Sequence, residues 1–267
     1  MVGLLALAAL AALALALHLQ LSLFTPLPRR ALRVLMYHQV TTGPAGRYSI
    51  PAEALRRQIL WLRAHGYALV SLPQVLAAVE NGGPLPDRGV LLTFDDGTTD
   101  ALEVLHPLLR GLGARGALFA VPGWAGSVRE LGGRRVPVLD AAGLRAAAAS
   151  LDIGLHGHEH LDLRRLEPEE VEAELARAAK WLEQHGVPHL PALAYPFGAY
   201  PRKDPARRVA FLEAVRRAGV VAAFRIGNRV NPLPLSAPLE IHRTEIRGDE
   251  PFWVFRWKVR TGRLRAL

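Results

Sequence analysis

The chain of 267 residues has no cysteine, which excludes disulfides, thiolate metal sites and a cysteine nucleophile; any metal must be held by His, Asp or Glu. Lysine is scarce as well: only Lys180, Lys203 and Lys258 accompany the arginines that make up the formal charge of +9. Such a surface suits anionic polymers or lipid headgroups. No compact basic run is interleaved with aromatics, so nucleic acid is not an expected partner. No glycine-rich dinucleotide fingerprint follows an apolar run, which argues against a nucleotide-binding sheet.

Charge is also missing locally. Residues 1–28 contain no Asp, Glu, Lys or Arg, and Val2 to Phe24 is almost pure Leu and Ala. That length matches one membrane-spanning helix and reads as a signal peptide or an uncleaved signal anchor. Thr25 to Arg30, with its prolines, reads as a linker. The expected organisation is therefore a hydrophobic helix and linker over 1–28 and one folded domain over 29–267.

What is present in that domain is alternation. Apolar strand-like runs at 33–37, 68–71, 89–94, 116–121, 152–155, 192–195, 219–224 and 239–244 are separated by amphipathic stretches at 51–65, 73–80, 101–112, 140–150, 168–185, 205–218 and 251–260. Several stretches open with Pro or an acid in the first turn, as Glu167-Pro168-Glu169-Glu170 does before Val171, Leu175 and Leu182. Strands alternating with helices imply a parallel sheet, and roughly seven or eight repeats in one domain favour a closed α/β barrel over an open doubly wound sheet.

In such barrels function sits just past the carboxyl ends of strands. Reading only those positions collects Tyr37-His38, Asp95-Asp96-Gly97, His156, His158 and His160, Tyr195-Pro196-Phe197-Gly198, and His242 within the last run. Adjacent carboxylates are costly to ionise together unless a cation lies beside them, so one of Asp95 and Asp96 can ligate a metal while the other accepts a proton. A capped, Asp-rich turn accounts for Asp100 or Thr99, but not for two acids before the glycine. Three histidines in five residues after a strand are hard to explain as packing. His156 and His160, four apart, can meet one ion and leave a position open for water. His158 more readily faces away or supports the loop.

These residues resemble the polysaccharide deacetylase family, the NodB-homology or carbohydrate esterase 4 group. Thr93-Phe94-Asp95-Asp96-Gly97 matches its first motif, and His156-Gly157-His158-Glu159-His160 is similar to its second, with Gly157 in place of a hydroxyl residue. Ala194-Tyr195-Pro196-Phe197-Gly198 looks like the third in poly-N-acetylglucosamine deacetylase-like members, and Val34 to Val40 resembles the same branch. The resemblance implies a distorted (β/α)7 TIM-like barrel. It also implies Asp95 as general base, a divalent metal on Asp96, His156 and His160, and the Phe197 amide in the oxyanion hole. Zn²⁺ is the first expectation for the metal, with Ni²⁺, Co²⁺ or Mn²⁺ compatible.

The chain departs from the family pattern in places. The arginine that orients the base in many members is Ala194 here, and Arg225 or Arg243 is the available substitute. The carboxyl-terminal histidine motif is not clean, so His242 is the expected general acid and His38 a further candidate at the mouth. Tyr195, Trp124 and His38 are the expected substrate contacts, Trp124 by stacking on a sugar. The implied activity is removal of N-acetyl groups from amino sugars of a cell-wall or extracellular glycan by a monomer. An O-acetyl esterase with the same metal site and a membrane-tethered glycan-binding protein of weak activity are the alternatives. Arg29 and Arg30 after the apolar run favour a cytoplasmic body, but the position of that run and the glycan chemistry outweigh them. The expected location is outside the cytoplasm, anchored to the membrane or secreted.

Overall fold

The computed structural model describes residues 30–262 and five positions among the first eleven. The expected anchor or signal segment over 1–28 otherwise lies outside the described residues, among which no helix is long and apolar enough to cross a membrane.

The chain enters through β1 (Ala31–Tyr37), then β2 (Gln39–Thr41), β3 (Ser49–Pro51), α1 (Ala52–Ala64), β4 (Ala68–Leu69), α2 (Leu72–Asn81) and β5 (Gly89–Asp96). A π-helical turn over Ala101–Leu105 leads into α3 (His106–Gly111), followed by β6 (Gly116–Ala120) and the hairpin β7 (Val128–Leu131) and β8 (Arg134–Pro137). Next come α4 (Ala141–Ala147), β9 (Leu151–Leu155), α5 (Pro168–Gln184), β10 (Ala192–Ala194), α6 (Pro205–Arg217), β11 (Ala222–Ile226), β12 (Asn231–Pro232), β13 (Ile241–Glu245) and α7 (Phe252–Thr261).

Seven strands form a closed parallel barrel in the order β1, β5, β6, β9, β10, β11, β13 and back to β1. Closure comes from Leu35 opposite Thr244 and Met36 opposite Glu245. Strands buried on both faces need near-continuous apolar runs, which is why Gly89–Phe94 and Gly116–Ala120 read as they do. The seam between β9 and β10 is thin, a single register pair of Leu193 with Leu155, and it distorts the barrel. β4 pairs with the start of β5, and β12 runs antiparallel on Ala31 and Leu32.

Strand alternation sorts the side chains into two layers. Leu32, Val34, Leu91, Ala117, Phe119, Ala192, Ala194, Phe224 and Ile241 pack together inside the barrel. Their neighbours, such as Leu35, Leu92, Leu118, Ile153, Leu193 and Tyr195, face the helices. α5 turns Val171, Leu175, Ala178 and Leu182 toward that layer, together with one acid, Glu174.

Three elements depart from the sequence reading. The stretch 101–112 is a wide turn followed by a short helix, because Pro107 has no amide to continue the helical ladder. The hairpin β7–β8 and the pair β2–β3 arise in stretches to which the sequence assigns no strand. The hairpin turns on Gly132 and Gly133, both with positive φ, and lacks the apolar run that marks a barrel strand.

Gly154 of β9 is required by packing. A Cβ there would lie 2.7 Å from the Phe119 ring and 3.0 Å from the Ala192 carbonyl. Gly154→Ala should therefore lower unfolding free energy by about 1–3 kcal/mol in urea titrations, with part of the loss recovered by Phe119→Leu. Unchanged stability would show that the ring has room to move.

Candidate active site and metal centre

The site lies where β1, β5, β9, β11 and β13 end. Asp95 points into the barrel in step with Leu91 and Thr93. Asp96 then takes a left-handed backbone, φ 76°, followed by Gly97 at 74°. This bend lets two consecutive carboxylates reach one point that strict alternation would deny them. His160 (φ 57°) and Phe197 (φ 58°) are bent in the same way, so three of the four described non-glycine residues with positive φ stand at this mouth. Such conformations are costly and concentrate where side chains must be aimed.

The two aspartates have opposite electrostatic fates. Burial alone would raise Asp95, but the buried Arg243 guanidinium, donating from Nη1 to its Oδ1 at 2.6 Å, outweighs burial and holds it at about 2. Asp96 has no such partner; burial, and then the charge of Asp95, push it up to about 7. Burial lowers His156 to about 4, and burial followed by the neighbouring His156 lowers His160 to about 3. Near neutral pH the mouth thus holds one firmly ionised carboxylate, one carboxyl poised to ionise and two neutral imidazoles.

Asp96, His156 and His160 each offer a ligand atom within 4.8 Å of the others. Nε2 of His160 is 3.7 Å, and Nε2 of His156 is 3.9 Å, from Asp96 Oδ1. Donors about 2.1 Å from a tetrahedral ion lie about 3.4 Å apart, so the spacing fits a zinc-sized cation. The donor set fits too: neutral imidazoles with free lone pairs surround a carboxyl that lacks a counter-charge.

The histidine loop is held from behind. The His156 Nδ1–H donates to the Ala194 carbonyl at 2.7 Å, which leaves Nε2 as the lone-pair donor toward the site. Buried Glu174 on α5 accepts from the amides of His158 (2.8 Å) and Glu159 (2.6 Å), with Arg177 on its other oxygen at 2.5 Å. Gly157, at φ 75°, stands where a Cβ would come within 3.3 Å of Glu174 Oε1, so the departure from a hydroxyl residue suits this backbone.

A cavity of about 520 Å³ brings together Asp95, Asp96, His156, His160, Phe197 and His38. Phe197 is 63% exposed on its rim. Three other expected residues are not brought there. Tyr195 follows inward-facing Ala194 and so faces the helices, its hydroxyl donating to the Leu239 carbonyl at 2.9 Å. Trp124 does not line the cavity; it backs the His160 ring with centroids 4.8 Å apart. His242 precedes Arg243, which points inward, and therefore faces outward into a different cleft. Of the two substitute arginines, Arg243 is the one on Asp95, whereas Arg225 donates to the Tyr200 hydroxyl outside the barrel.

The sequence reading missed Glu174, a buried acid inside an apolar helical stripe, which was its available signal. It also missed Arg47, Tyr48 and Glu130 on the rim, which come from loops and the hairpin and carry no pattern. Asp100, read as a cap, accepts from the Val40 amide at 2.6 Å and fixes β2 beside His38.

Because the imidazoles are already neutral, Asp96 is the member of this set whose proton would compete with a cation. Affinity of the metal-free protein for Zn²⁺, followed by competition with a chelator, should rise about tenfold per pH unit between about pH 5 and 7 and then flatten. A flat profile would mean that Asp96 is not a ligand.

Residues 82–220, just over half of the chain, match the polysaccharide deacetylase family model. Among curated proteins, the chain is 25% identical over 169 residues to YxkH of Bacillus subtilis, which is named for the same family, covering 63% of this chain and 57% of YxkH. It is 37% identical over 87 residues to the poly-β-1,6-N-acetyl-D-glucosamine N-deacetylase of Escherichia coli, covering 32% of this chain and 13% of that protein. The chain thus spans under two thirds of either relative. Among solved structures, IcaB from Ammonifex degensii superposes with a TM-score of 0.70 at 23% identity, covering 88% of this chain and all of that one. The Streptococcus pyogenes deacetylase PplD in complex with acetate gives 0.69 at 19%, covering 86% and 99%. At such identities the superpositions carry the fold alone. Together with the family match over the histidine and aspartate strand ends, they lead to one conclusion: the chain belongs to the polysaccharide deacetylase family.

Proposed function

We propose that this protein hydrolyses N-acetyl groups of amino sugars in a cell-wall or extracellular polysaccharide, using a divalent ion, Zn²⁺ first, held by Asp96, His156 and His160. The observation that carries this reading is the division of labour between neighbours: Asp95 is locked ionised by Arg243, while Asp96 faces two neutral imidazoles. The name of the Escherichia coli relative supports the amino-sugar substrate. The apolar segment over residues 1–28 supports export or anchoring.

When bound, the ion supplies a Lewis acid that acidifies water and polarises the acetyl carbonyl. The chain's own residues do the rest. Asp95 lies 3.8 Å from His156 Nε2 and takes the proton of the attacking water as general base. Arg243 keeps that carboxylate ionised and fixes which oxygen is free. The backbone amide of Phe197, held in its left-handed bend, faces the oxyanion of the tetrahedral intermediate. The leaving amine needs a proton. His242 faces the wrong side of its strand, so His38, in the cavity and edge-on to Tyr48 at 5.0 Å, takes the acid role. Burial lowers its pKa, so the proton it gives the amine is the one Asp95 has taken from water, relayed through the imidazole.

Asp95→Asn should retain metal and lose acetate release from N-acetylglucosamine oligomers by roughly 10²–10⁴-fold, as expected for loss of a general base. Normal turnover by that variant would sink the base assignment. Release from acetylated xylan but not from the oligomers would replace the amide substrate with an ester. Arg243→Met leaves Asp95 to the effect of burial, so its pKa rises. The acid limb of the pH–rate profile should then move to higher pH, and an unmoved limb would separate Arg243 from the base.

A further inference from the structure

On the far side of Ile226 from the active mouth lies a second cleft of about 570 Å³. Ile226 lines both spaces and packs on Gly198, where a Cβ would come within 2.3 Å of it, so Ile226 is part of the partition between them. The cleft is walled by Tyr200, Arg202, Arg225, Arg229 and His242, and no carboxylate lines it. The nearest acid, Glu240, stands at the edge of the cleft, held by both Nε and Nη2 of Arg208 and hydrogen-bonded to the Tyr200 side chain, with the charge of Arg225 also acting on it. None of the three lining arginines makes an ion pair among the described residues.

Two buried polar atoms here have no hydrogen-bond partner, Nε of Arg225 and Nδ1 of His242. They belong to residues directly opposite each other across β11 and β13, on the outer face of the sheet. Arg225 is fixed in place, donating from Nη1 to the Tyr200 hydroxyl at 2.9 Å with its guanidinium 4.8 Å over the ring. His242 is fixed through its backbone, whose amide and carbonyl are both held by the Asn231 side chain. Its ring fits only because Gly227 has no Cβ, which would fall 1.9 Å from Nδ1. Burial, and then Arg225 and Arg229, lower His242 to about 4, so the cleft has a positive potential and an imidazole that does not add to it.

Three arginines without an ion pair around a polar cleft, with the one nearby acid already engaged by Arg208 and Tyr200 at its edge, have the chemistry of an oxyanion site. We propose that this cleft is a subsite for a carboxylate or phosphate carried by the acetylated polymer itself, so that the protein acts on anionic glycans in preference to neutral ones. A chain held at the mouth reaches the cleft by crossing the ridge of Phe197, Gly198 and Ile226. The identity of the polymer rests on the deacetylase reading; the preference for an anion does not.

The test uses the Zn²⁺-loaded protein with two probes, N-acetylated carboxymethyl chitosan and N-acetylated glycol chitosan, the first anionic and the second neutral. The anionic probe should bind roughly tenfold more tightly, the equivalent of one charged hydrogen bond. The preference should fade with added salt. It should also disappear in Arg225→Gln and in the exposed-loop double variant Arg202→Gln/Arg229→Gln, while kcat on the neutral probe stays unchanged. Binding of the anionic probe should raise the His242 pKa read by NMR above that of the free protein. Equal binding of the two probes, or an undiminished preference in both variants, overturns the proposal. So does a His242 shift produced by phosphatidylglycerol vesicles and not by the anionic probe. If neither probe releases acetate but the binding preference and its loss in the variants persist, the deacetylase reading fails and the anion subsite stands.

Discussion

The buried contact between Arg243 and Asp95 sets the chemistry of the whole mouth. Both side chains are almost fully enclosed, 1% and 2% exposed, and each would be expensive to bury alone. Removing one partner of such a pair costs about 3–5 kcal/mol, because the survivor is left as an uncompensated charge. Once the pair is formed, its consequences reach the next residue. The fixed negative charge on Asp95 adds to the burial that raises Asp96 to about 7, so that its carboxyl is poised to ionise near neutral pH. One ion pair thereby gives two adjacent carboxyls, alike in the free amino acid, opposite shifts in proton affinity.

The pair also gives Asp95 an arginine partner although the position where the resemblance leads one to expect that arginine holds Ala194. Arg243 reaches the same carboxylate from β13, across the closing seam of the barrel. A residue on the last strand and a residue on the third long apolar run are neighbours only because the barrel closes, and that topology is what makes the substitution possible. The price in geometry is that His242, one position earlier, is turned to the outer surface.

Much of this was legible in the sequence. The continuous apolar runs ending in polar residues gave the barrel, and Asp95, Asp96, His156 and His160 stood out because no packing argument accounts for them. What the sequence reading lost followed from local geometry. Tyr195 and His242 lie at strand ends, but a strand presents alternate residues to alternate faces, and the phase is fixed only when the inward residue is known. Ala194 and Arg243 fix it. Trp124 sits in a strand-end loop as expected, yet it supports a histidine from behind because the short helical turn over Pro122–Trp124 packs against the histidine loop. Rim residues such as Arg47, in the turn before β3, and Glu130, in the hairpin, lie outside the barrel, where neither periodicity nor composition marks them. The left-handed bends at Asp96, His160 and Phe197 are likewise not fixed by sequence, since aspartate and histidine adopt a positive φ more often than most residues but still in a small minority of cases, and phenylalanine rarely does.

The thin seam between β9 and β10 has a consequence for how this barrel moves. With one register pair between these strands, the Nδ1–H of His156 on the Ala194 carbonyl acts as a side-chain stitch where backbone stitches are few. Widening of the gap would pull away the carbonyl that sets the His156 tautomer, so breathing of the wall and the readiness of that imidazole are a single motion. The seam with the fewest register pairs therefore borders the candidate site, and a group that holds His156 from inside the barrel would bear on that seam through the Ala194 carbonyl.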